Sequence, residues 1–243
     1  MQLKFLLTQE EAIMQNKLKL AVIGVGNMGT AHAKHLYENK IENAMLCALC
    51  DIDERIFPRL NADFKEIPIF KDYYDLLKNS DCDAVIIAPP HYSHPKIAFS
   101  ALKHNKHVLT EKPIGVLPSD INKLIETAKS ADKKFGIMFN QRTNSLYKKA
   151  KELVENGAIG KRKRLIWIIT NWYRTQSYYN SSGWRASWAG EGGGVLVNQA
   201  PHQLDLISWI FGKPNEVLAK LSVAKYHDIE VEDDAELLFS YRE

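Results

Sequence analysis

Apolar and polar positions along the chain switch period repeatedly, and the switches mark out its elements. Leu18 to Gly24 is an apolar run interrupted only by Lys19 and ending in glycine, the pattern of a strand buried on both faces. Gly29 to Glu38 continues as a helix, and Met45 to Cys50 is a second strand with Asp51 at its end. Ala84 to Ala88 reads as a strand closed by Pro89-Pro90, and Lys96 to His104 as the helix after it. Lys106 to Thr110, Ser119 to Ser130 and Phe135 to Phe139 then repeat strand, helix and strand. This alternation predicts an α/β, doubly wound parallel sheet of Rossmann type over residues 17–139. Residues 1–16, where Phe5-Leu6-Leu7 meets Gln9-Glu10-Glu11, lack the apolar core and cleavage site of a signal peptide and read as an N-terminal extension.

After residue 139 the grammar changes. Residues 141 to 156 predict a helix stopped by Gly157, and Leu165 to Thr170 predict a strand. A loop of about twenty residues carrying Tyr173, Tyr178, Tyr179, Trp184 and Trp188 comes next, a length that points to a working loop. A Gly192-Gly193-Gly194 turn leads to a helix over Pro201–Phe211 ended by Gly212, then to strands near 217–225 and 235–241. The expectation for residues 140–243 is an α+β domain with a mostly antiparallel sheet. The final strand alternates, with Leu237 and Phe239 on one face and Leu238 and Ser240 on the other.

Composition narrows the function classes. At 243 residues with 45% hydrophobic and 25% charged residues the chain is that of a soluble globular protein. A net charge of +3 from 32 basic and 29 acidic side chains gives no field for nucleic acid, and Lys161-Arg162-Lys163-Arg164 reads as a solvated strand end. No stretch is long and apolar enough for a bilayer. Cys47, Cys50 and Cys82 do not make a disulfide framework, which fits a reducing cytoplasm. Cys47 and Cys50 lie in one strand, where residues three apart face opposite ways, so both read as core residues and no metal is expected.

Gly24-Val-Gly26-Asn27-Met28-Gly29 fits a dinucleotide fingerprint, and its position between a strand and a helix gives it weight. Gly24 permits the tight turn, Gly26 lets the backbone approach a pyrophosphate, and Gly29 lets helix and strand pack closely. The helix N-terminus offers unpaired N–H groups to the phosphates. Asp51, 22 positions after Gly29, can accept hydrogen bonds from both ribose hydroxyls and repels a 2′-phosphate, which favours NAD over NADP. Arg55, four residues after Asp51, could in principle bind a 2′-phosphate.

Glu111-Lys112-Pro113, the glycine motif before it and Gly192-Gly-Gly-Val-Leu-Val-Asn198-Gln-Ala-Pro-His202-Gln-Leu-Asp205 after it are three motifs in one order. In these the chain resembles the Gfo/Idh/MocA oxidoreductases, the family of glucose–fructose oxidoreductase and inositol dehydrogenase, over residues 18–243. Pro89, Pro90 and His94 resemble the family's loop near the nicotinamide, Glu111 and Lys112 its cofactor edge, and Asn140-Gln141-Arg142 the opening of its second domain. The resemblance implies hydride transfer between a nicotinamide and a secondary alcohol of a sugar, a polyol or a derivative. It implies that Lys112 and His202 hold the reacting hydroxyl, His202 accepting the proton and Lys112 stabilising the alkoxide. It also implies a cis bond before Pro113.

Inositol-type members carry Asp where this chain has Asn198, and an amide cannot take a proton, so His202 is expected to work alone. Asn140, Arg142, Tyr173, Trp184, Arg185, Asn198 and His202 are the expected substrate-side residues, whereas Asp205, one helical turn beyond His202, reads as structural. The loop aromatics can stack on a sugar ring or pack between domains, and both readings stand. A rival reading from another class is a nucleotide-binding protein without turnover, a sensor or a relic. Members of this family usually continue further than Glu243, so the second domain is expected to be incomplete, and its uncovered sheet either to recruit a second copy or to leave the chain poorly soluble and largely inactive.

Overall fold

In the computed structural model, residues 17–170 and 173–242 are described, and the expected extension over residues 1–16 lies outside them. The chain divides into two compact units, one built from residues up to Pro89 with Ser93–Ile137, the other from Pro90–Tyr92 with Met138 onward.

The first unit is a six-stranded parallel sheet in the order β3-β2-β1-β4-β5-β6, formed by β1 (Leu18–Ile23), β2 (Ala44–Cys50), β3 (Ile69–Phe70), β4 (Ala84–Ile87), β5 (His107–Thr110) and β6 (Phe135–Ile137). Five helices intervene: α1 (Asn27–Tyr37), α2 (Phe57–Asp63), α3 (Tyr73–Asn79), α4 (Ser93–Lys103) and α5 (Pro118–Ser130). Because strand side chains alternate, β1 sends Ala21 and Ile23 to one face and Val22 to the other. The first face packs Leu76, Ile97, Ala101 and Leu124 from α3, α4 and α5, and the second packs Ala33, Leu36 and Leu60 from α1 and α2. Helices on both faces bury Ala21–Ile23 of β1 and Ala84–Ile87 of β4, which is why those stretches read as apolar runs.

Two expectations need correction here. The β1–β2 register slips between Leu20 and Ala21, so Cys47 is an extra, bulged residue. The bulge turns Cys47 toward the same core cluster as Cys50, not to the opposite face. Burial pushes both thiols up to about 12, which keeps them protonated and unreactive. Between Asp51 and Asp83, where no element was expected, the chain forms α2, β3 and α3, with Asp72 capping α3 through the Tyr74 and Asp75 N–H groups.

The second unit holds α6 (Ser145–Glu155), α7 (Gln176–Asn180), α8 (Pro201–Phe211) and an antiparallel pair, β7 (Glu216–Val223) with β8 (Glu232–Ser240). A short 3₁₀ turn over Asn140–Thr143 takes the place of the expected start of the first helix. The strand expected at Leu165–Thr170 does not form: these residues sit in no ladder. An Ile- and Trp-rich run has the side chains of a strand, but a strand also needs a hydrogen-bonded neighbour. In β8 the expected alternation holds, Leu237 and Phe239 being half-buried and Leu238 exposed.

Candidate active site

In the first unit the functional groups gather at the carboxyl ends of the strands, where the strand order reverses between β1 and β4. Gly24 holds φ +85°, and a Cβ there would lie 2.4 Å from the Pro89 nitrogen. At Gly29 a Cβ would lie 1.8 Å from the Gly24 carbonyl oxygen, so side chains are excluded from both positions. At Gly26, by contrast, nothing lies within 4 Å of an added Cβ. Gly26, Asn27 and Met28 are exposed, and Gly26 caps α1 with no side chain over the helix N-terminus. This open cradle of N–H groups fits a pyrophosphate.

Asp51 is tied to that cradle. Its carboxylate accepts the Val25 N–H at 2.7 Å and the Asp53 N–H at 3.0 Å, which fixes the carboxyl end of β2 against the glycine turn. Arg55 forks onto Asp53 at 2.7 and 2.8 Å. Two residues the sequence reading missed flank the same edge: Ile52, 82% exposed beside Asp51, and Arg59, whose guanidinium donates to the Val25 carbonyl at 3.2 Å. An apolar residue so exposed directly after a strand-terminal Asp was the available signal.

Glu111 and Lys112 follow β5. Glu111 is buried and accepts the His32 Nε2–H from α1 at 2.8 Å and the Lys112 backbone N–H at 3.2 Å. Burial pushes its carboxyl pKa up, but the hydrogen bond and charge of His32 outweigh that and hold it below the ordinary value. Lys112 is thus anchored through Glu111 to the nucleotide helix, and the bond before Pro113 is cis, as the resemblance implied. The ring of His94, 1% exposed, lies 2.7 Å from the Pro113 carbonyl and 2.8 Å from that of Pro89. Burial keeps its pKa below the usual imidazole value, and the neutral ring can donate to only one of the two carbonyls.

In the second unit two buried glutamates organise the glycine-rich segment. Glu191, 1% exposed, accepts the Ala186 N–H at 2.6 Å and the Asn198 side-chain N–H, while its backbone carbonyl accepts the His91 Nδ1–H at 2.9 Å. Glu232 accepts the Leu196 N–H at 3.1 Å, and its carbonyl would lie 1.9 Å from a Cβ on Gly194. Position 194 is therefore glycine because the Glu232 backbone passes within contact distance. Neither glutamate belonged to an anticipated motif.

His202 opens α8 edge-on to Phe139, ring centres 6.1 Å apart. Arg142 and Asp205 form a fork at 2.8 and 2.5 Å, which raises the guanidinium pKa and gives Asp205 the structural part expected of it. Asn140 begins the 3₁₀ turn that carries Arg142. Arg185 donates to the Tyr178 hydroxyl at 2.5 Å and stacks over the Tyr178 and Trp184 rings, 4.3 and 4.7 Å from their centres. Trp184 in turn meets the His91 ring edge-on at 5.4 Å. Tyr173, 72% exposed, leans on His227 instead. Among the described residues no cluster of His, Cys, Asp or Glu suits a metal ion, and no helix is long and apolar enough to cross a membrane.

The chain is similar to known proteins in both units. Residues 18–139 match the model of an oxidoreductase family with an NAD-binding Rossmann fold, and residues 147–243 match a GFO/IDH/MocA C-terminal domain. The chain is 32% identical to a myo-inositol 2-dehydrogenase of Thermotoga maritima over 85% of its length and 59% of that relative. It spans 43% of an inositol 2-dehydrogenase of Salmonella typhimurium, again at 32% identity over 59% of this chain. A WlbA dehydrogenase of Chromobacterium violaceum, solved with NADH and UDP-GlcNAcA, superimposes with a TM-score of 0.82 at 27% identity, covering 93% of this chain and 64% of that one. The scyllo-inositol dehydrogenase of Lactobacillus casei with bound NAD(H) and scyllo-inositol gives 0.70 at 26% identity, over 85% of this chain and 60% of that one.

Proposed function

The chain belongs to the Gfo/Idh/MocA oxidoreductases, and from that premise we propose that it transfers a hydride between NAD and a secondary alcohol of a sugar, polyol or derivative. The observation that carries the proposal is the anchoring of Lys112: Glu111 ties its backbone to His32 on the nucleotide helix, at the strand edge that binds the cofactor. NAD supplies the hydride acceptor when bound. The Gly26–Met28 N–H groups hold its phosphates and Asp51 its ribose, while Glu111 holds Lys112 in place. Lys112 donates a hydrogen bond to the substrate oxygen and stabilises it as charge develops. His202 takes the hydroxyl proton. Asn198, Asn140, Arg142, Trp184 and Arg185 orient the substrate, and residues 17–139 and 140–243 serve as cofactor and substrate domains.

Two substrate classes are in view. Several relatives are inositol dehydrogenases, while the higher structural similarity is to a dehydrogenase solved with a sugar nucleotide. Incubating the chain with NAD against inositols, free sugars and UDP-sugars, and following NADH absorbance, tests the reading. Formation of NADH with one class supports it. Tight NAD binding with no turnover on any class favours the rival, a nucleotide-binding protein without catalysis. We also place the protein in the cytoplasm, since its three cysteines are free. Self-association through the β7–β8 sheet is supported by exposed Val217, Leu218, Leu221 and Leu238.

A further inference from the structure

Asn198 replaces an acid expected at its position, and its neighbour restores one. An asparagine side chain has a donor end and an acceptor end of nearly equal size, so its orientation is decided by what it meets. What Asn198 meets is Glu191, a carboxylate buried to 1% exposure. One oxygen of Glu191 is held by the Ala186 N–H at 2.6 Å, and the other faces Asn198. A carboxylate oxygen only accepts, so the amide must turn its NH₂ to Glu191 and its carbonyl oxygen the other way. The backbone of Glu191 is held as well: its N–H donates to the Ser187 carbonyl at 2.9 Å and its own carbonyl accepts from His91. The turn between the two residues is equally constrained, since a Cβ at Gly193 would lie 2.5 Å from Val197.

We propose that Glu191 is a positioning residue that locks the Asn198 amide with its carbonyl oxygen presented to the substrate side, so that position 198 accepts a hydrogen bond there but never a proton. The negative charge that an aspartate would place at the reacting hydroxyl is thereby moved seven residues back, into the protein. This rests on the reading of hydride transfer above. In Glu191→Gln the Ala186 N–H claims the new amide oxygen, the new NH₂ faces Asn198, and the Asn198 amide inverts. In Asn198→Asp two carboxylate oxygens meet. The double variant Glu191→Gln/Asn198→Asp keeps one charge and reverses the hydrogen bond, so it is the conservative rescue.

The test uses the whole chain with ¹⁵N on its asparagine side chains, the Asn198 signal being identified by its loss in Asn198→Ser. We expect Glu191→Gln to shift that NH₂ signal and speed its hydrogen exchange by about tenfold or more, as loss of a buried charge-assisted bond requires. Each single variant is expected to lower the melting temperature by roughly 3–8 °C, and the double variant to return within roughly 2 °C of the parent. An Asn198 signal indifferent to Glu191→Gln, or losses that simply add in the double variant, would overturn the proposal. If the coupling is present but no alcohol is oxidised, the dehydrogenase reading fails and the pairing stands. If turnover is present and the signal is indifferent, the pairing fails alone.

Discussion

The two units bury different things. In the first, the sheet interior is apolar, with Ala21, Val22, Val85 and Ile87 fully enclosed, and the polar groups His94, Thr110 and Glu111 are buried only near the functional edge. In the second, buried apolar residues among those described are few, Ala186, Ala200, Leu206, Ile210 and Val231 with Pro201, and His91, Glu191 and Glu232 share the interior with them. The cofactor edge is thus held by packing, whose strength scales with area removed from water. The second unit's glycine segment is held by hydrogen bonds to buried charge, which is directional and costly to break singly. The cofactor side therefore tolerates polar substitution poorly, while the other side depends on a few exact partners.

The largest effect is expected from the candidate catalytic groups, one in each unit. Lys112→Ala and His202→Ala should each lower kcat by roughly 10²-fold to 10⁴-fold while leaving the NAD dissociation constant unchanged, since both groups act as charge develops in the transition state. Steady-state kinetics with a parallel NAD titration checks this, and loss of NAD binding in either variant would mean a damaged fold.

A matched pair of glycine changes sharpens the contrast. Gly29→Ala and Gly194→Ala each drive a methyl group onto a backbone carbonyl, at 1.8 and 1.9 Å. Each should cost about 1–3 kcal/mol of stability. Gly29→Ala should also weaken NAD binding strongly, whereas Gly194→Ala should leave it intact and lower turnover alone. Equal effects on NAD binding would erase the division of labour drawn here.

Asp51→Ala is expected to act in the middle range. It removes the acceptor of the Val25 N–H as well as a ribose partner, and should weaken NAD by roughly tenfold while narrowing the preference over NADP. Calorimetric titration with both cofactors decides it, and an equal loss for the two would count against the assignment.

The smallest expected effect is a pH dependence. The Glu111 carboxyl is held below its ordinary value, so its contribution to stability is complete above the unfolded carboxyl range, near 4.3, and is lost as pH falls through the depressed folded value. Thermal melts between pH 6 and 3 should therefore fall more steeply for the parent than for His32→Gln, in which the opposing charge is gone.

How much of this was legible beforehand follows the same division. The strands β1, β2 and β4 announced themselves because burial on both faces demands unbroken apolar runs, and the glycine turn with Asp51 did so because one backbone geometry demands those residues. The stretch from 52 to 83 stayed dark, since Ile69–Phe70 is too short to show a period. Leu165–Thr170 misled, because strand propensity does not supply a neighbouring strand. The bulge at Cys47 was invisible, since one inserted residue changes facing without changing composition. Asn198 was noticed as a departure, but its partner Glu191 was not, because a hydrogen bond across a glycine turn leaves no periodic trace.

In the proposed reaction hydride passes from an alcohol carbon to NAD while Lys112 stabilises the oxygen. Supplying the substrate class that reduces NAD with deuterium on the carbinol carbon, and locating the label by mass spectrometry and NMR, tests it directly. Deuterium is expected on C4 of the nicotinamide, with the transfer lost in Lys112→Ala although NAD still binds. Unlabelled NADH, or label transfer undiminished in Lys112→Ala, would contradict it.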